Sequence, residues 1–164
     1  MVTSNIYTKG SIVLSKDIVA FVADYEDFSP VAYLPTPNDV LTIGFGHTRS
    51  VKPGMVITRE EAKELLLDEM FEFAVDVKRL IKVDLTQNQF DAIVSLVYNV
   101  GITSFRNSRS LKRLNSGDYE GFVNGAYHPT LGWVKQKGTI LKGLVRRRAD
   151  EARIFKEGIY ERTY

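Results

Sequence analysis

Residues 26 to 48 carry the sharpest chemical signal in this chain. Glu26 falls where a helical pattern runs out, and a turn-rich stretch with Pro35, Pro37 and Asn38 leads into the glycine-punctuated segment Thr42 to Thr48, TIGFGHT. An acid at a helix end beside a small β segment can be aimed at a cleft, the placement a glycosidase acid needs. The 164 residues include no cysteine and only two histidines, His47 and His128. A disulfide and a thiolate nucleophile are therefore excluded, and a histidine-built metal cage is not expected. Chemistry must rest on carboxylates and hydroxyls, with neither a metal nor an organic cofactor expected.

Glu26 suits the role of general acid. A helix carboxyl terminus presents unpaired carbonyl oxygens and the negative end of the macrodipole, which disfavours a carboxylate and favours the protonated acid. Glycosidic cleavage needs one such acid to protonate the leaving oxygen as an oxocarbenium-like state develops. A neighbouring arginine would oppose that preference. Taken alone, a glutamate at a helix end is ordinarily exposed surface. Thr42 offers a hydroxyl that both donates and accepts, but threonine is equally a good strand former. Asp39, in Pro37-Asn38-Asp39, is read either as a catalytic carboxylate or as a turn former.

The elements that must position these groups are legible in the hydrophobic pattern. Ser15 followed by Ile18, Val19, Val22 and Tyr25 predicts a capped amphipathic helix ending near Asp27, with Glu26 in its last turn. From Val31 to Ile57 the helical period disappears, and Leu41, Ile43 and Phe45 alternate with Thr42, Gly44 and Gly46, predicting a small twisted antiparallel sheet. Thr58 to Glu61 forms a capping-box pattern opening one long helix to Lys82, about 35 Å at 1.5 Å per residue. Thr86 to Gln89 repeats the signal for a helix closed by Gly101. Further helices are expected over Ser108 to Leu114, Asp118 to Ala126 and Leu144 to Lys156, the last with Ala149, Ala152 and Phe155 inward. Trp133 is expected in the helical core. Residues 1 to 14 are consistent with a disordered tail, an added strand or a packing arm.

Composition describes one ordinary globular domain, 44% hydrophobic and 26% charged. Net charge is only +2, but residues 103 to 148 hold ten Lys or Arg against two acids, whereas residues 1 to 102 hold nine bases against fourteen acids. Such a tract can steer a protein to an anionic polymer, or it is a solvated helix surface. A nucleic-acid role would show as salt-sensitive DNA binding, and is not expected. The apolar runs of the first 25 residues are too short for a signal-peptide core or a membrane span, so the chain is expected to stay in the cytoplasm where it is made.

Segment 26–48, read with QNQFDA at 87–92, NVG at 99–101 and LVRRR at 144–148, resembles the phage-type lysozymes of glycoside hydrolase family 24, specifically the endolysins, from about Ser15 to Gly158. The resemblance implies an α+β lysozyme-like fold. A small β-containing lobe (15–57) is joined by a connecting helix (58–82) to a larger helical lobe (83–158). It also implies a muramidase that cleaves the β-1,4 bond between N-acetylmuramic acid and N-acetylglucosamine without a covalent intermediate, Glu26 being the acid and Thr42 helping to hold the attacking water. An aspartate expected nine residues after the glutamate is here Pro35, with one extra residue before Thr42, which leaves Asp39 as the only acid in the turn. The implied substrate-binding set is His47, Asn99, Gly101, Ser108 and Arg147. His47 is read mainly as structural, Asn99 as a saccharide contact or a helix cap, and one or two of Arg146 to Arg148 as facing Glu26. A monomer is expected, with a holin to open the host membrane before it reaches the wall. A lytic transglycosylase, a hydrolase of chitin-like glycans and an inert wall-binding module stay open as alternatives.

Overall fold

A computed structural model describes residues 5–164. Its elements run β1 (Ile6–Lys9), β2 (Ile12–Ser15), α1 (Lys16–Tyr25), β3 (Phe28–Tyr33), β4 (Thr42–Phe45), α2 (Arg59–Leu80), α3 (Gln87–Val100), α4 (Ile102–Arg106), α5 (Arg109–Asn115), α6 (Tyr119–Ala126), β5 (Lys135–Gln136), β6 (Thr139–Ile140) and α7 (Lys142–Glu157). The expected α+β class is the one observed: three two-stranded antiparallel sheets and seven helices among the described residues.

The helix starts follow their capping signals. Ser15, Thr58, Thr86 and Ser108 each accept a hydrogen bond from a backbone N–H three residues on, and at Thr58 and Thr86 the N3 side chain, Glu61 or Gln89, completes a capping box. α2 covers about 33 Å at 1.5 Å per residue. α3 is the central element, packing on α7, α2, α1 and β2. Its residues 91 to 97 are all buried, as expected of a helix covered on every side. Around it, Ile18, Phe21 and Val22 of α1, Leu66, Met70 and Ala74 of α2, and Phe105, Phe122 and Phe155 join one continuous apolar core.

Several expectations need correction. α1 ends at Tyr25, so Glu26 is the cap residue, with extended backbone and its N–H donated to Val22 O, rather than a member of the last turn. Gly101 has the positive φ of a cap glycine, 89°, but an extended ψ of 152°, which carries the chain straight into the unforeseen α4. Between the helices expected to end at Ala126 and to start at Leu144 lies an unforeseen β5–β6 hairpin, whose turn Lys137–Gly138 has φ of 51° and 82°. Two positive φ values suit a two-residue hairpin turn, and lysine in place of the usual asparagine or aspartate hid it. Ala149 is exposed; the covered face of α7 instead carries Arg147, Arg148, Asp150 and Glu151 with Ile154 and Phe155. Trp133 is only half-buried against the core.

Of the amino-terminal stretch, residues 1–4 lie outside the described residues, while 6–15 form a hairpin with Gly10 at φ 60° in its turn. Asp91 of α3 ties this hairpin down, accepting from Ser15 Oγ at 2.6 Å, Gln87 Nε2 at 2.7 Å and Tyr160 Oη at 2.5 Å.

The β3–β4 sheet pairs Phe28 with Phe45, Ser29 with Gly44 and Tyr33 with Thr42, with a register shift between Ser29 and Tyr33. All four β4 residues are buried, because α2 packs on the hairpin. Gly44 makes that contact possible. Its φ is 64°, and a Cβ there would stand 3.0 Å from Ala62 Cβ and 3.1 Å from Ile57 Cδ1. Gly44→Ala should therefore combine backbone strain with overpacking and lower stability by about 2 kcal/mol or more. Urea unfolding with an unchanged midpoint would contradict this account of the interface.

Candidate active site

Glu26 and Arg147 meet across 121 residues of sequence, Arg147 Nη1 donating to Glu26 Oε1 at 3.1 Å. The Glu26 side chain is 25% exposed and that of Arg147 5%, so the acid reaches solvent while its partner does not. The other oxygen, Oε2, lies beside Gly46, where an added Cβ would be 3.5 Å away. An open cavity of about 300 Å³ lies here, lined by Glu26, Gly46, Glu69, Phe73, Tyr98 and Asn99.

Behind the acid sits a buried ionic cluster. Glu151, fully buried, accepts from Ser95 Oγ at 2.6 Å and Arg147 Nε at 3.4 Å, and Arg148 Nε lies 2.8 Å from its other oxygen. Arg148, also fully buried, donates from Nη2 to Asn99 Oδ1 at 2.7 Å. Burial pulls the Arg148 guanidinium down from its ordinary pKa, while the charge of Glu151 works against that pull. The cluster therefore holds both Arg147, which grips the acid, and Asn99, which lines the cavity beside it. Of the three consecutive arginines, Arg147 and Arg148 point inward and Arg146 is exposed.

The remaining candidates are placed as follows. His47 Nδ1 pairs with Glu69 on α2 at the cavity edge, and its backbone exchanges hydrogen bonds with Ile43 at 2.8 and 2.9 Å. Thr42 is buried and its Oγ1 donates to Val40 O at 3.0 Å. Asp39 is exposed, with Oδ1 accepting from Val40 N at 2.9 Å. Neither residue lines the Glu26 cavity. Ser108 caps α5, accepting from Leu111 N and donating to Phe105 O. Gly101 shapes the turn after Asn99.

A second depression of about 420 Å³ adjoins the first through Asn99 and is lined by Ser104, Trp133, Lys135, Gln136 and Leu144 among others. Three cavity-lining residues had no signal in the sequence alone: Glu69, Phe73 and Tyr98. The first two sit within the apolar and acidic runs of α2, and only the packing of α2 against β4 and α3 brings them to Glu26. Burial raises the Tyr98 hydroxyl above its ordinary pKa, the Glu26 charge adding to this, so it stays protonated and can donate; it donates to Phe45 O at 3.4 Å. No grouping of three or more His, Cys, Asp or Glu suited to hold a metal occurs among the described residues. Among them too, no helix is long and apolar enough to cross a membrane.

Comparison with known proteins gives the family of the chain. The family model for phage lysozyme matches residues 23–151. The endolysin of Bacillus phage B103 is 39% identical over 147 residues, covering 88% of this chain and 54% of its own. The chain thus spans about half the length of that curated relative. Among solved structures, the endolysin from Escherichia coli O157:H7 phage FAHEc1 superposes with a TM-score of 0.81 at 34% identity, covering 94% of this chain and 99% of its own. The muramidase domain of SpmX from Asticaccaulis excentricus gives 0.78 at 33%, covering 87% and 97%.

Removing the charge at the centre of the cluster should be costly. Glu151→Gln leaves the buried Arg148 guanidinium without a carboxylate partner and Arg147 with Glu26 alone, and is expected to lower stability by about 3 kcal/mol. Denaturant midpoints of this variant and the parent measure it; equal midpoints would mean that the cluster does not hold the site.

Proposed function

Because the chain belongs to the phage lysozyme family, we propose that it acts as an endolysin muramidase, hydrolysing the β-1,4 bond between N-acetylmuramic acid and N-acetylglucosamine in peptidoglycan. One observation carries the assignment. Glu26 presents a carboxyl group to an open cavity, with one oxygen held by a buried arginine and the other beside a glycine that leaves its approach unobstructed. A general acid needs that combination of fixed direction and access.

In the proposed reaction Glu26 protonates the glycosidic oxygen as the bond to the anomeric carbon lengthens and positive charge spreads over the sugar ring. Water attacks the opposite face, so the configuration inverts and no covalent intermediate forms. That geometry needs about 6.5 to 9.5 Å between the acid and the group that activates the water. Thr42 and Asp39, on the hairpin that follows Glu26, are assigned to that water. Either would act after local rearrangement of the hairpin around bound glycan, since their oxygens are engaged with Val40 in this structure. Asn99, His47 and Arg147 position the saccharide or the acid, with Gly101 and Ser108 shaping the adjoining wall. A small β-containing lobe and a larger helical lobe would flank the glycan strand. Access to the wall from the host cytoplasm would require a second protein, a holin, to permeabilise the membrane.

Glu26→Gln tests the acid directly, because it removes the proton donor at nearly constant size. Lysis of purified sacculi should fall by roughly a thousandfold or more with fold and wall binding intact; near-normal turnover would take Glu26 out of the mechanism. Asp39→Asn decides between the two water-holding groups, a large loss assigning the carboxylate to Asp39 and an unchanged rate leaving Thr42. Mass spectrometry of the products should show reducing muramic ends. Anhydromuramic ends would instead make the protein a lytic transglycosylase.

A further inference from the structure

The segment after α7 reaches back to the two residues before Glu26. Arg162 Nη1 donates to the carbonyl of Asp24, 138 positions away in sequence. That carbonyl belongs to the last turn of α1, where carbonyl oxygens lack helical partners. The Arg162 guanidinium carbon lies 4.5 Å from the centre of the Tyr25 ring and 4.5 Å from that of Tyr164. Thr163 donates to Asp150 twice, from its N–H at 2.8 Å and its hydroxyl at 2.9 Å. Asp150, 1% exposed, also accepts from Arg153 at 2.8 Å and from the Tyr25 hydroxyl. The Arg147 guanidinium carbon stands 5.2 Å from the same Tyr25 ring. Tyr25 therefore touches both the carboxyl-terminal segment and the arginine that holds the acid.

We propose that residues 158–164 form a clasp that positions the catalytic acid, with Arg162 and Thr163 fixing Tyr25 and Tyr25 in turn fixing the Arg147–Glu26 pair. This rests on the reading of Glu26 as general acid. The physical need is clear from the backbone: at Glu26 the chain has already left the helix, with φ −92° and ψ 128°, so α1 holds it only through the single N–H bond to Val22. The direction of the carboxyl group is then set by Arg147, which is held by Glu151 and lies against the Tyr25 ring. Cation–π contacts on that ring and the hydroxyl bond to Asp150 supply the constraint, each worth about 1 kcal/mol and cooperative in one network. Burial and the Asp150 bond raise the Tyr25 hydroxyl above its ordinary pKa, so it remains a donor throughout. Arg162 and Thr163 are positioning residues, since neither lines the cavity.

The test uses the full chain with Arg162→Ala, Thr163→Ala and Arg162→Lys, assayed on purified peptidoglycan sacculi well below their melting midpoints. The alanine variants should lose about tenfold in kcat with KM within about twofold of the parent, as expected for a slightly misaimed acid. Their pH–rate profiles should change shape. Arg162→Lys should recover part of the loss, because lysine restores the cation but not the planar stack. A lowered melting midpoint with kcat and pH profile unchanged would reduce the segment to a stabilising strap and overturn the proposal. NMR resonances of the Arg147 Nε–H and the Glu26 carboxyl carbon give a readout independent of activity. They should move in Arg162→Ala, and resonances identical to the parent would also overturn it. Failure of the parent itself to cleave sacculi would count against the muramidase reading, and the NMR comparison would then decide the clasp alone.

Discussion

The contact between Arg147 and Glu26 is the constraint on which the site depends. It joins the residue that ends α1 to α7, beside the bond of the Tyr25 hydroxyl to Asp150, and it places a carboxyl group at the mouth of a cavity. A guanidinium buried to this degree carries a desolvation penalty of several kcal/mol, which its partners must offset. Glu151 shares that compensation with Glu26, and Ser95 donates to the Glu151 carboxylate in turn. Glu26 is thus held by a group whose own position is fixed from inside the core, while its second oxygen remains at the solvent side.

The cluster also links the two walls of the depression. Arg148 shares Glu151 with Arg147 and donates to Asn99, which lines both the Glu26 cavity and the adjoining one beside Trp133. A disturbance of Glu151 therefore reaches the acid and the polar wall together. Across the cavity, the pair of His47 and Glu69 anchors the β3–β4 hairpin to α2, and Gly44 lets the two approach closely. The hairpin carries Asp39 in an exposed turn, where Val40 is 59% exposed and Leu34 50%, and Thr42 at the buried start of β4.

Much of this arrangement was legible in the residues. Capping boxes at Thr58 and Thr86 marked the starts of α2 and α3 to within a residue, because a cap is a local interaction between positions three apart. The small sheet followed from alternation and turn residues. Where local signals were weak, reading failed: the turn at Lys137–Gly138 lacks the usual chemistry, α4 is a five-residue helix with no capping side chain, and α7 hides a charged buried face that periodicity of apolar residues cannot reveal.

The sequence by itself determined the helices other than α4, the hairpin that follows Glu26, and the family to which the chain belongs, since these rest on local patterns and on residue types at short spacing. Only the tertiary structure decided which of three consecutive arginines grips the acid, that Glu69, Phe73 and Tyr98 line its cavity, and that the last residues return to Tyr25. Those facts depend on pairings between residues far apart in the chain. Such pairings are set by how α1, α2 and α7 pack around α3, and no local pattern encodes them.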